Sequence, residues 1–297
     1  MQNPSDMKTI LKILILVLLP LMGFSQEGSV RFTDKFGPFY NTYQQDNDFA
    51  NRKFISYPFV READVMWSKV TWELIDLREK MNLPLYYPTD TIHGRKSLMM
   101  ALTEGIKNGA ILAFKPQFRN NAFEFDQQNI ISPDSLADLD KNVVPVPNAA
   151  PIVQMWSPDE ITQVLVKEVW YFDRKNSELH SEIIGLCLIR EYDKYLGPPT
   201  STGIPTDRRM NYLFWIYYPD AREYLSKIPV YNPYNNTELY SFDDLFVNRK
   251  FKSYFLRESN VYNNRLITDY VSGREAQLES ERIKNEIFNY EQDLWEN

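Results

Sequence analysis

Between Arg61 and Met81 the chain reads READVMWSKVTWELIDLREKM, and its apolar positions recur every three or four residues. At about 100° per residue, Met66, Trp67, Val70, Leu74, Leu77 and Met81 share one arc. Val65, Trp72 and Ile75 form a second apolar strip, roughly opposite. Charges fill the gaps, with Lys69–Glu73 and Asp76–Lys80 at i,i+4. The pattern predicts a helix apolar on two sides. Such a helix is either enclosed within its domain or packed inside on one side and docked to a partner on the other. Pro84 is expected to end it, and LPLYYP to run extended.

Downstream, KSLMMALTEGIK (Lys96–Lys107) predicts a second helix, with Asn108-Gly109 as its stop. AILAFKP and AFEFD read as strands. Residues 143–158 hold four prolines and no glycine, which marks a stiff connection and a lobe boundary. Ser157-Pro158-Asp159-Glu160 predicts a short helix start. VLVKEVWYFDRKNSELHSEIIGLCLIREYD reads as two strands about a Lys175-Asn176-Ser177 turn. MNYLFWIYYP reads as a strand and PDAREYLSKIP as a short helix. SFDDLFVNRKFKSYFLRES predicts another helix, capped by Ser241 with acids in its first turn. The last segment, GREAQLESERIKNEIFNYEQDLWEN, is a charged helix with a narrow stripe of Ala276, Ile283, Ile287, Tyr290 and Leu294.

The N-terminus changes the expected setting. Lys8 and Lys12 precede the apolar run Ile13–Leu19, Pro20 breaks it, and Gly23 and Ser25 are small residues before Gln26. This is the layout of a secretory signal peptide cleaved between Ser25 and Gln26. A spanning helix wants roughly 20 apolar residues, and Lys12 and Pro20 interrupt this one. No cysteine follows the run to be lipidated. The expected division is a signal peptide (1–25), an extended arm (26–58), an N-terminal α/β lobe (59–142), the Pro-rich connection (143–158) and a C-terminal α+β lobe (159–297). The expected fold class is α+β: mixed helices and short antiparallel strands, ending in an amphipathic C-terminal helix.

Residues 1–25 carry Lys8, Lys12 and Asp6, a net +1, so the remainder stands at −8 against −7 for the whole chain. That acidity argues against nucleic acid and against anionic membrane surfaces. The lone Cys187, inside IIGLCLI, reads as a small core residue. His93 and His180 have no HxH, HExxH or nearby cysteine, and GxSxG, GxGxxG and P-loop patterns are absent. The acidic pairs Asp159-Glu160 and Asp243-Asp244 sit at helix starts, where the dipole explains them. No catalytic residue, metal ligand or cofactor is expected. Aromatics are abundant instead, with 19 Tyr, 18 Phe and 6 Trp. Trp67, Trp72, Tyr86, Tyr87 and Trp295 are the candidates for buried or interfacial anchors.

READVMWSKVTWELIDLREKMNLPLYYP closely resembles a segment of the gliding motility GldN family, also called PorN. The likeness continues through GRKSLMMALTEGIKNGAILAF and VKEVWYFDRKNSELHSEIIGLCLI, and resumes from DDLFVNRKFKSYFLRES to the C-terminus. The resemblance implies a periplasmic, non-enzymatic component of the type IX secretion system, with no assigned catalytic residues. It further implies self-association in rings with an outer-membrane lipoprotein, GldK or PorK, and engagement of the periplasmic part of GldM or PorM. Asp90-Thr91-Ile92 and Asp134-Ser135-Leu136 match an Asp-Ser/Thr-apolar O-glycosylation pattern, with Thr91 and Ser135 as acceptors. The alternative to an assembly component is a periplasmic carbohydrate- or envelope-binding module that uses its aromatics for stacking.

Overall fold

The computed structural model describes residues 52–92, 94–117, 123–139, 142–144, 152–154, 156–194, 207–232 and 240–296. Ser25 and Gln26, with the signal segment and most of the arm, lie outside them. The elements that build the main layers are β1 (Val65–Asp76), a one-turn α1 (Leu83–Tyr86), α2 (Leu98–Lys107), β2 (Ala113–Pro116) and β3 (Phe125–Ile131). After two short strands, β4 (Asn142–Val144) and β5 (Ile152–Gln154), come β6 (Ile161–Asp173), β7 (Glu178–Lys194) and β8 (Asp207–Tyr217). The chain continues with α3 (Tyr218–Leu225), β9 (Pro229–Val230), β10 (Tyr240–Ser241), α4 (Phe242–Val247), β11 (Tyr254–Glu258) and α5 (Arg274–Glu296). Seven strands form one sheet in the order β11-β1-β6-β7-β8-β2-β3, with every neighbouring pair antiparallel. This is an α+β fold ending in a long helix, as the sequence predicts.

The main departure is residues 65–76, expected as helix and found as strand β1, paired with β6 from Val65↔Asp173 to Asp76↔Gln163. Val70, Trp72 and Leu74 point to one face with Leu165, Cys187 and Trp215. Ile75 points to the other, among Val164, Val166 and Leu186. Trp72 and Ile75, joined in one predicted strip, are therefore on opposite sides of the sheet. The helical reading arises because Lys69, Thr71 and Glu73 occupy positions that a simple alternation would fill with apolar residues. They are accommodated there by partners: Lys69 pairs with Glu258 at 2.6 Å and Glu73 with Arg249 at 3.1 Å. Three further expectations change. LPLYYP starts with the α1 turn, opened by Pro84, rather than running extended. Ser157–Glu160 forms a single 3-10 turn that leads straight into β6, with the Glu160 carboxylate accepting from the Ser157 amide at 3.1 Å. SFDDLFVNRKFKSYFLRES is helical only to Val247, and its YFLRE portion is strand β11.

The two expected lobes are not separate layers. β1, β2 and β3 from 59–142 join the same sheet as β6, β7, β8 and β11 from 159–297. At the start of the Pro-rich connection, Asn142–Val144 pairs antiparallel with Ile152–Gln154.

One face of the sheet carries the helices. α2 starts at Ser97, whose side chain accepts from the Met100 amide, and ends with Gly109 at φ 71°. There the Ala110 and Gly109 amides donate to Gly105 and Ile106 carbonyls, a Schellman stop. Leu98, Leu102 and Ile106 of α2 share a core with Ile75, Phe214, Ala221, Phe242 and Phe246. The opposite face holds Trp72, Leu165, Cys187 and Trp215, closed over by Phe123 and Phe125. Among the described residues no helix is long and apolar enough to cross a membrane.

Trp72 is a core residue of its own domain: its side chain is enclosed and its indole N–H donates to the Phe123 carbonyl at 3.0 Å. Trp72→Ala should cost the isolated protein about 3–5 kcal/mol, which at roughly 2–4 °C per kcal/mol is a drop near 10 °C in Tm. Calorimetry checks this, and an unchanged Tm would contradict the enclosed placement.

Candidate interaction surface around the C-terminal helix

α5 is long, charged and poor in apolar residues, so what fixes it has to come from a few positions. Ile283 and Ile287 are buried against Phe255 and Ile267, flanked by Trp67, Trp170 and Leu179. Ser280, also buried on this side, accepts a hydrogen bond from the Phe255 amide at 2.7 Å. That contact satisfies a backbone donor on edge strand β11, which would otherwise face solvent. Trp67 stacks on Tyr290 at 4.6 Å between ring centroids, with 24° between the planes. Lys69, from the same strand, ion-pairs with Glu258 and reaches Glu286 of α5 at 3.3 Å. Arg282 bonds Glu279 and Glu286, each at 2.8 Å.

The outward side of α5 is different. An open groove runs beside Trp67 and Tyr290, lined by Leu278, Arg282, Asn285 and Asn289. Leu278 and Phe288 are each 54% exposed on this side of the helix. The turn after β11 likewise presents Val261 and Tyr262 to solvent. Mixed polar lining, one aromatic shelf and isolated apolar positions suit contact with another protein surface better than enclosure of a small molecule.

The other predicted anchors are dispersed. Trp72 lies on the opposite face from Trp67, between the Arg257 guanidinium at 3.9 Å and the Lys167 amine at 5.5 Å. Glu124 balances both cations, at 2.5 Å from Lys167 and 3.7 Å from Arg257. Tyr86 donates to the Asp159 carbonyl at 3.0 Å and meets Tyr87 edge-on at 4.9 Å; Tyr87 is half exposed. Trp295 is within α5, but its side chain lies outside the described residues, as does His93. Thr91 and Ser135 are both exposed, and the Ser135 hydroxyl shares a 2.7 Å hydrogen bond with that of Ser132. Cys187 is fully buried, and burial pushes its thiol well above the usual range. His180 lies in β7 beside the Tyr171 ring, at 5.5 Å.

One polar cluster escapes a reading of the sequence. Glu73 of β1 and Glu168 of β6 are fully buried on the helical face, and Arg249 reaches both, at 3.1 Å and 2.5 Å. Ser253 donates to Glu73 at 2.6 Å. The Arg249 guanidinium also covers the rings of Trp170 and Phe251, at 4.8 and 5.3 Å. Two carboxylates and one cation leave an excess of negative charge in a dry site. Burial accordingly pushes Glu168 up to about 8, with Glu73 adding to the rise and Arg249 opposing it. Both carboxyls are sealed from solvent, which suits a structural tie rather than a reaction on a bound substrate. Among the described residues no group of three or more His, Cys, Asp or Glu is placed to hold a metal ion.

Residues 60–296 match the model of a family described as Gliding motility associated protein GldN. The chain belongs to the GldN family. No curated protein matches it. Membership makes it a gliding-motility-associated protein, in a family not known for enzymatic activity. The matched stretch takes in the whole seven-stranded sheet, α5 and the Arg249 cluster, so the surface described above is part of the GldN domain itself.

The glutamate tie has a pH signature. Folding retains a proton on Glu168 that an unfolded glutamate would release, so its contribution to stability is complete below about pH 4.5 and is lost as pH rises towards 8. The slope from this one group is at most about 1.4 kcal/mol per pH unit. Glu168→Gln keeps the neutral shape, and urea midpoints compared at about pH 5 and about pH 8 should fall less in the variant than in the parent protein.

Proposed function

We propose that this chain is a non-enzymatic, periplasmic structural component of the type IX secretion and gliding motility machinery. It self-associates in rings, joins an outer-membrane lipoprotein of the GldK/PorK type, and connects that layer to the periplasmic part of a GldM/PorM-type inner-membrane motor. The observation that carries this reading is membership of the GldN family across residues 60–296. The chemistry is in keeping with it: the charged and nucleophilic groups singled out above are paired, capped or buried, while the outward side of α5 carries exposed apolar positions. In such an assembly many modest contacts add through multivalency, so no single surface needs a large apolar patch. The signal-like N-terminus supports export, and the lipidated partner supplies the membrane anchor.

The test is affinity capture of the tagged chain from detergent-solubilised envelopes of a bacterium that carries this machinery. A lipoprotein should be recovered at a fixed ratio. Leu278→Glu combined with Phe288→Glu should lower that recovery about tenfold, equivalent to roughly 1.4 kcal/mol. Because both side chains are exposed, the isolated variant's Tm should move by less than about 2 °C. Recovery of envelope glycan in place of a protein partner would sink the assembly reading.

A further inference from the structure

Residues 52–58 form an extended strap with no regular secondary structure, just ahead of the stretch that defines the family. Despite this, the strap docks on buried polar groups. Arg222 of α3 and Asp243 of α4 form an enclosed pair, with two contacts at 2.8 and 3.2 Å. The Tyr218 hydroxyl donates to the same carboxylate at 2.8 Å. The Arg222 Nη2 also donates to the Ile55 carbonyl of the strap, at 2.5 Å. Phe54 and Tyr57 place their rings 5.1 and 4.2 Å from the guanidinium carbon. Arg52 pairs with Asp244 at 2.9 Å, and Ile183 contributes a backbone hydrogen bond to the Tyr57 phenol, which burial pushes up to about 12.

Three other arginines, Arg190 and Arg257 buried and Arg249 partly exposed, take both their acid and their rings from within residues 60–296. Arg190 has Glu160 and Tyr192, Arg249 has Glu73 and Trp170, and Arg257 has Glu124 and Trp72. At Arg222 the acid comes from the fold and the rings come from the strap. A guanidinium that offers an N–H to a peptide carbonyl and its flat faces to two rings at i,i+3 recognises an extended aromatic peptide.

We propose that the Arg222–Asp243 pocket is a peptide-docking site exchanged between copies, with the strap of one chain seating on the pocket of its neighbour. The strap is itself the ligand that fits, so exchange repeats the same contacts and demands no new complementarity. Ile55 of the strap and Phe59 just after it are 85% and 91% exposed, so few apolar contacts hold the segment down. A tethered strap sees its own pocket at an effective concentration on the order of millimolar. Dilute protein therefore keeps the strap in its own pocket, and neighbours held side by side compete. The inference rests on the self-association proposed above.

The experiment co-expresses two differently tagged full-length chains, one carrying Arg52→Cys and the other Val247→Cys, an exposed position one turn along α4 from Asp244. The assembly is treated with a short bismaleimide, and Cys187 is sealed in the core. A covalent product bearing both tags is expected, falling at least about fivefold when Phe54→Ser and Tyr57→Ser are added to the chain that carries Arg52→Cys. Those changes lie in the strap, so circular dichroism of the sheet should be unaltered. An oligomer on light scattering that gives no mixed product overturns the exchange alone. A mixed product insensitive to the Phe54 and Tyr57 changes also overturns it. Chains that stay monomeric throughout overturn the self-association reading and the exchange with it.

Discussion

The tie between Arg249 and the two buried glutamates is the constraint around which the sheet and its helical layer are arranged. Glu73 and Glu168 sit on neighbouring strands in the middle of the fold, where an unpaired carboxylate would be expelled. Arg249 reaches them because it stands just after α4 in a left-handed conformation, φ 49°, a position that usually calls for glycine. The Lys250 and Arg249 amides close the helix by donating to Leu245 and Phe246 carbonyls. A backbone cost of order 1–3 kcal/mol is accepted there so that the side chain can span two strands. The start of the same helix is fixed by the reciprocal Ser241–Asp244 cap, and its first turn supplies Asp243 to Arg222. A six-residue helix thus holds an ion pair at each end, one directed to the sheet and one to α3 and the strap.

This arrangement explains which parts of the fold the sequence discloses. α2, the β6–β7 hairpin and α5 are legible because local signals and tertiary demands agree. Ser97 and Gly109 bound α2, Lys175-Asn176-Ser177 turns the hairpin with Ser177 at φ 55°, and Ile283 with Ile287 marks the inner side of α5. β1 passes for a helix because its inner face is polar where the period of two requires apolar residues. Lys69 and Glu73 are stabilised there by Glu258 and Arg249, both far along the chain. β11 hides for a similar reason: its acidic and basic residues suit a helix, and the irregular register against β1 between Trp72 and Glu73 spoils any simple alternation along YFLRE. Pairings at such separation leave no local trace. The beta-branched Val65, Val70, Thr71 and Ile75, with two tryptophans, are the signal available for β1.

The candidate surface is legible in outline only. The stripe on α5 identifies the buried side, and Trp67 stands out as an aromatic anchor, but its stacking on Tyr290 depends on strand β1 running beneath the helix. Helix and strand readings both put Trp67 and Trp72 on opposite sides; the pair that the helical reading misplaces is Trp72 and Ile75, which a strand sends to opposite faces. That geometry also weakens a role for these aromatics in glycan stacking. Trp72 is enclosed and Trp67 is already stacked on Tyr290, which leaves at most one ring face for a sugar.

The aromatic richness has a second physical use beyond filling a core. Guanidinium groups are weakly hydrated and flat, so they tolerate burial when carboxylates meet their edges and rings cover their faces. Arg190, Arg222, Arg249 and Arg257 all have that environment, with ring distances from 3.9 to 5.3 Å. Buried ion pairs of this kind add little net stability, because desolvation offsets the attraction. What they can add is directional: an apolar contact tolerates sliding, whereas a guanidinium fitted to an acid and a ring fixes position and angle. Copies that must repeat a contact around an assembly need that fixity more than they need extra stability. Arg222 uses the same chemistry to hold a segment outside the family-defining stretch, which brings the device from the interior to a place where chains can meet.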